Sequence, residues 1–185
     1  VAERLLDESL EPYLGLHYPA SDVPAQARAL YVQRRSRMIV SSTYDPALLV
    51  PPLNPLTSEP NDLSQSELRS VSPHHLTYMR NMGVGGSLSV SLVTDGELVG
   101  MISCNNGTPR HVPYLLRRAC ELLGQQVALQ LDALGRTAAL EARLRRQQVR
   151  ADLVEQAVVT RDLSGGLAAG PVTVLDLVRA RGAVV

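Results

Sequence analysis

The residue types able to do chemistry fall into a few groups. Ser72, His75 and Asp22 contain the side chains of a hydrolytic triad, but no nucleophile elbow frames the serine, and such types co-occur by chance in most chains. His74 and His75 are adjacent, so on a helix they point in different directions and make poor joint metal ligands. Gly83-Val84-Gly85-Gly86 lacks the lysine and the spacing of a phosphate loop, and serves tight turning instead. Arg34 and Arg35 read as a solvated helix face. Arg37 and Arg69, each beside an expected sheet element, are the better candidates for holding an anion. Ser87, Leu88, Ser89, Val90, Ser91 and Leu92 alternate with period two, which puts the three serines on one face of a strand. A serine face beside a helix bearing His74, His75 and Tyr78 suits a ligand carrying carboxylates at its edge. The same alternation also describes a half-exposed strand with its serines in water.

The elements that must position these side chains follow from pattern. Ser21 and Asp22 stand before Pro24, a helix start with a capping side chain and proline in the first turn, and the helix is expected over 25–36. Residues 38–40 read as a strand. Five prolines between Asp45 and Asp62 make a long surface loop. Residues 64–80 are expected to be helical with an interruption at Pro73, whose ring and missing N–H disfavour continuity. Asp95-Gly96, between two apolar runs, predicts a β-hairpin turn. From Pro113 to about Val159 the apolar positions recur at spacings of mostly three, four or seven, which predicts one long helix with an interruption near Gly135. Gly165, Gly166 and Gly170 end it, and 172–185 reads as two short strands around Arg181-Gly182. Such a helix exceeds what one small sheet can cover, so part of it is expected to pack on another chain. Residues 1–12 are a short charged segment that reads as a cut end.

Composition narrows the class. The chain has 185 residues, 45% of them hydrophobic, and a formal charge of zero, so no global field favours nucleic acid or an anionic membrane. Every basic residue is arginine, Phe and Trp are absent, and six tyrosines are the only aromatics. No apolar stretch approaches the ~20 residues of a membrane span, and Glu3, Arg4, Asp7 and Glu8 interrupt any signal-peptide pattern. Cys104 and Cys120 are too few for a disulfide framework or a zinc site, so a reducing cytoplasmic compartment is the expectation.

Three separated motifs then carry a family resemblance. PASDVPAQARALY (19–31), DLSQSELRSVSPHHLTYMRNMGVGGSLSVSLVTDGELVGMISC (62–104) and TPRHVPYLLRRACELLGQQVALQL (108–131) resemble, in order and spacing, the bilin-binding GAF domain of phytochromes, specifically of bacteriophytochromes. The resemblance implies an α+β fold with a central antiparallel sheet flanked by helices over residues 1–135. A connecting helix follows over 136–164, and the opening strands of a PHY domain over 165–185. It also implies that an N-terminal PAS domain and the first GAF strand lie outside this chain.

What the resemblance implies can be set on matching positions. Asp22, in the PASDIP-like motif with Val23 and Pro24, would lie beside the pyrrole nitrogens of a linear tetrapyrrole, its backbone carbonyl accepting a pyrrole N–H. His75, the histidine of the SPxH motif, would sit over the same rings and manage their shared proton. Arg37 and Arg69 match the propionate clamp, with Tyr31 and Ser72 as hydroxyl partners, and Ser87 and Ser89 match hydroxyls at the other propionate. Tyr18 and Tyr78 match aromatics around the D ring, whose rotation after light absorption is the family's primary event. Asn105 and Asn106 replace the family's two histidines, and Val99 replaces its tryptophan; Asn105 can still donate from its amide but does not titrate. His74 stands where plant and cyanobacterial relatives carry their attachment cysteine, which excludes a thioether there. The cofactor implied is biliverdin, attached through a cysteine upstream of this chain. The implied partners are an output domain such as a histidine kinase and a second copy along the long helix, with neither nucleic acid nor membrane. The competing readings are a GAF domain without photochemistry that serves as a dimerisation or small-ligand module, and a hydrolase acting through Ser72 and His75.

Overall fold

The computed structural model describes residues 2–6, 10–67, 69–178, 180 and 182. Two compact units, residues 1–129 and 130–185, divide the chain. The first is built on a three-stranded antiparallel sheet in the order β1-β2-β3, with β1 at Ser36–Ile39, β2 at Gly86–Thr94 and β3 at Glu97–Asn106. The β2–β3 connection is the expected two-residue turn. Asp95 and Gly96 take φ of 51° and 79°, the left-handed conformation that a tight hairpin demands and glycine accepts without strain.

Register decides what each sheet face carries. Near the turn Thr94 pairs with Glu97 and Val93 with Leu98, but a bulge between Leu92 and Val93 shifts the rest by one residue. Beyond it Leu92 faces Gly100, Val90 faces Ile102, Ser89 faces Ser103 and Ser87 faces Asn105. On the other side, β1 sets Arg37 opposite Ser89 and Ser36 opposite Val90. Directly opposed residues share a face. One face is therefore Leu88, Val90, Leu92, Met38, Ile102 and Cys104. The other carries Ser87, Ser89, Ser103, Asn105, Arg37 and Ile39.

The apolar face is covered by the first turns of α3, a helix spanning Tyr114–Thr160. Gly124 permits the contact, since a Cβ there would stand 2.5 Å from Val90 Cγ1. Ala128, one turn on, is completely buried. Glu121, also buried, is held by Ser36 Oγ and Arg118, which satisfies a carboxylate that would otherwise be costly under the sheet. On the other face, α2 (Pro73–Asn81) packs Leu76 and Met79 against Ile39 and Val84, with Tyr44, Val71 and Met82 around them. Its N-terminus is set by Pro73 in the first turn. The helix α1 (Ala25–Gln33) lies against β2 and β3. The outer edge of β3 pairs with no strand among the described residues, and Val99 there is 56% exposed.

In the second unit, α3 continues without a break at Gly135, contrary to the interruption expected there. Gly135 is a helical residue whose absent Cβ opposes nothing, so its only effect is a modest loss of propensity within a helix extended on both sides. A short helix α4 (Leu163–Ala168) follows Arg161 and folds back so that Gly166 meets Ala157. Gln156 Nε2 donates to the carbonyl oxygens of Gly166 and Val172.

Three further expectations are corrected. Residues 64–67 and 69–72 are not helical: Asp62 Oδ1 accepts from the Ser64 N–H in a tight turn, and Arg37 donates to the Glu67 and Arg69 carbonyls. Ser21 and Asp22 do not cap α1; they form a 3-10 turn with Ala20, and Pro24 is the N-cap. The first strand expected within 172–185 is a 3-10 turn, Val174–Asp176, closed by a capping box between Thr173 and Asp176 that satisfies backbone groups locally. The second strand rests on residues most of which lie outside those described.

Gly124→Val would push a branched side chain into Val90. It is expected to destabilise the fold by about 1–3 kcal/mol, read as a lowered urea midpoint at unchanged slope.

Candidate functional site

The polar sheet face, α2 and the turn at Ala20–Asp22 bring most of the expected site residues together. Ser87 Oγ donates to Asn105 Oδ1 at 2.9 Å, and Ser103 Oγ donates to the same oxygen at 3.4 Å. Ser87 and Ser89 are half-buried and Ser91 is buried. Ser87 and Ser89 are thus neither in bulk water nor sealed, whereas Ser91 is closed off. Ser87 and Asn105 line a cavity of 170 Å³ with Arg110 and Val112, and Leu88 and Cys104 of the other face border it too.

Across from the sheet, Tyr78 donates its hydroxyl to Asp22 Oδ2 at 3.4 Å. The His75 ring stacks on Tyr78 at 6.1 Å between centroids and 14° between planes, as residues three apart on one helix face can do. Tyr18 meets Tyr13 edge to face at 6.4 Å. Tyr13 was not among the residues singled out from sequence. Its hydroxyl is buried beside Asn105 without a hydrogen bond, and burial, then the nearby Tyr18, raise its pKa. No periodicity marks a tyrosine in a loop, so sequence reasoning had no signal for it. Ser103 was missed for a different reason: only the bulge places it opposite Ser89.

Arg37 is the hub of the cationic end. Its Nη1 donates to Glu67 O at 3.0 Å and its Nη2 to Arg69 O at 2.6 Å. Arg69 Nη1 donates to Ser66 O at 2.9 Å. These bonds use only some of the five N–H donors on each guanidinium. Both arginines line a second cavity, of 270 Å³, together with Tyr44, Glu67, Val71 and Arg117. Burial first, and the Arg69 charge second, hold Arg37 below its ordinary pKa, with Tyr31 and Tyr44 opposing the shift. Two cations this close, partly out of water, favour an anion between them. Burial, and then Arg37, also hold His75 below its ordinary 6.5, so its imidazole is neutral at pH 7.

Some expected residues contribute differently. Val23 offers its carbonyl to Arg28 Nη1 at 2.8 Å, and Pro24 caps α1. Ser72 serves as the N-cap position of α2 without a side-chain cap bond, its carbonyl accepting from Leu76 N. The Asp22 carboxylate is engaged with Tyr78 and not with His75, so Ser72, His75 and Asp22 form no triad. Among the described residues no group of His, Cys, Asp and Glu could hold a metal, and no helix is long and apolar enough to cross a membrane.

The family model for the GAF domain matches residues 6–133, and the chain belongs to the GAF domain family. Its homologues are phytochromes and bacteriophytochromes. It is 43% identical to cyanobacterial phytochrome B of Nostoc sp. over 178 residues, 96% of this chain and 24% of the relative. A solved bacteriophytochrome from R. palustris superposes with a TM-score of 0.77 at 42% identity, covering 88% of this chain and 33% of that one. The chromophore-binding domain of an unusual bacteriophytochrome from R. palustris superposes at 0.68 with 49% identity, covering 71% and 44%. The chain thus spans about a quarter of the length of the curated relatives it matches.

The neutral His75 has a stability consequence. Its pKa is depressed on folding, so the unfolded chain takes up its proton first as pH falls. Stability is therefore complete above the unfolded value of 6.5 and declines as pH drops below it. In urea titrations across that window the midpoint is expected to fall with pH, and His75→Gln to flatten that part of the profile.

Proposed function

We propose that this chain is the chromophore-holding part of a phytochrome-type red/far-red photoreceptor, and that its ligand is the linear tetrapyrrole biliverdin. The observation that carries the reading is the half-buried, adjacent pair Arg37 and Arg69 at one end of a polar sheet face whose other end is walled by tyrosines. A tetrapyrrole has that shape of demand: acidic side chains along a flat conjugated body. When bound, the bilin would supply the conjugated system that absorbs red light.

The chain's own residues do the rest. Arg37 and Arg69, with donors to spare, bind propionate oxygens, supported by Tyr31 and Ser72; Ser87 and Ser89 supply hydroxyls, and Ser103 joins them. The backbone at Asp22, Val23 and Pro24 is braced by Arg28, and the Asp22 carbonyl accepts ring N–H. His75, neutral at its ring nitrogens, can accept or return a proton there. Tyr13, Tyr18 and Tyr78 pack at the far end, where Asn105 replaces an imidazole with an amide. Cys104 lies on the apolar face opposite this site, which fits attachment through a cysteine outside the chain. In this reading residues 1–135 are the bilin-binding GAF domain, 136–164 a connecting helix and 165–185 the start of a PHY domain. The exposed apolar positions of α3, Leu134, Leu140, Leu144 and Val158 among them, form a homodimer seam leading to an output domain such as a histidine kinase. The setting is cytoplasmic.

The parent protein co-expressed with biliverdin is expected to show a red absorbance band that changes on illumination; no band in the red overturns the proposal. Removing both guanidinium groups, Arg37→Ala with Arg69→Ala, is expected to weaken bilin binding by at least about tenfold, since each charge-assisted hydrogen bond contributes roughly 1.5–3 kcal/mol. The dimer seam predicts a dimeric mass in light scattering at micromolar concentration.

A further inference from the structure

The register fixes where the two cysteines project, although Cys104 also borders the cavity lined by Ser87 and Asn105. Leu88 is directly opposite Cys104 and Val90 opposite Ile102, so Cys104 projects on the face that Val90 presents to Gly124 of α3. Along α3, Arg117 reaches Met38 Sδ at 3.9 Å and Glu121 accepts from Ser36 Oγ, so residues 117 and 121 overlie β1. Gly124 sits on the central strand β2. At 100° of turn per residue, Cys120 falls on the flank opposite Glu121, the flank over β3. It also falls at the right level. Met38, Leu88 and Cys104 form one row across the sheet and Ser36, Val90 and Ile102 the next; Arg117 meets the first and Glu121 the second, with Cys120 between. Burial, and then Cys120, raise the Cys104 thiol above its ordinary value. Both are free, Cys104 exposed and Cys120 half-buried, and the chain has no other cysteine.

We infer that Cys104 and Cys120 are a redox-responsive pair that closes to an intramolecular disulfide when the protein meets a hydroperoxide. With its pKa raised, only a minor fraction of the exposed Cys104 is thiolate near neutral pH, and that fraction attacks a peroxide oxygen slowly; the O–O bond breaks, hydroxide leaves and takes up a proton as water, and sulfur is oxidised to the sulfenic acid. The Cys120 thiolate then attacks that sulfur, the S–S bond forms, the S–O bond breaks and a second water leaves. Two thiols are oxidised and one peroxide is reduced. The closed bond ties β3, at the residue next to Asn105, to the helix that covers the sheet. Oxidation would thereby fasten the two layers on either side of the apolar core. This holds whether or not the polar face takes a bilin.

The test treats the full chain with hydrogen peroxide, blocks remaining thiols with an alkylating agent and maps the tryptic peptides. Cleavage at arginine isolates Cys104 in 81–110 and Cys120 in 119–136. Expected are a monomeric product with both thiols lost, these two peptides linked, and both thiols restored by dithiothreitol. In Cys120→Ser the Cys104 sulfenic acid is expected to persist and to be trapped by dimedone. The inference is overturned if both thiols remain alkylatable, if links form only between chains, or if wild-type Cys104 passes to the sulfinic acid without a link.

Discussion

A single inserted residue in β3 governs the arrangement of this protein. Uniform pairing outward from the Asp95-Gly96 turn would set Ser89 against Ile102 and Ser87 against Cys104, mixing polar and apolar side chains on both faces. The bulge at Leu92/Val93 shifts the pairing by one and sorts them. Serines and Asn105 then share one face with Arg37, while leucine, valine, isoleucine and the thiol share the other. Because side chains alternate, a shift of one residue exchanges every side chain between core and cleft, which makes this a discrete choice and not an adjustment.

Each face is then closed by a different kind of chemistry. Over β1 and β2 the apolar face is closed by close backbone approach at Gly124 and by the buried Glu121, whose charge is matched by Ser36 and Arg118. The polar face is left partly open, and its ends differ. At one, Arg37 holds the Glu67 and Arg69 carbonyls with part of its donor set, in a non-helical stretch before α2 that carries Arg69. At the other, Asp22, Tyr78 and His75 form a chain of contacts between a turn and a helix. The cationic end suits acidic groups and the aromatic end a flat ring, which is why an elongated conjugated ligand fits the proposed function better than a compact substrate.

Shared placement on one strand also links the proposed ligand site to the proposed thiol pair. Cys104 and Asn105 are neighbours in sequence and opposite in direction, so a change on one side of β3 is one residue removed from the other. A strand with an unpaired outer edge among the described residues and mostly exposed side chains is less restrained than β2, which is buried along most of its length.

Much of this was legible in the residues themselves. Period-two alternation and Asp-Gly placed the hairpin, the three-four-seven spacing placed α3 almost to the residue, and Pro73 marked the start of α2, because these are local preferences of backbone and side chain. The motif resemblance singled out Arg37, Arg69, His75 and Asp22 as candidates from the motifs alone. What sequence alone missed was non-local. Ser103 and Tyr13 enter the candidate site only through the bulge and a loop contact, residues 64–67 and 69–72 are held out of helix beside an arginine more than twenty-five residues upstream, and Asp22 meets a tyrosine on another element instead of capping α1. The sequence by itself determined which segments turn, alternate or wind, since those depend on near neighbours along the chain. Only the tertiary structure decided which faces meet, because a one-residue register shift and a long-range hydrogen bond have no signature in any single segment.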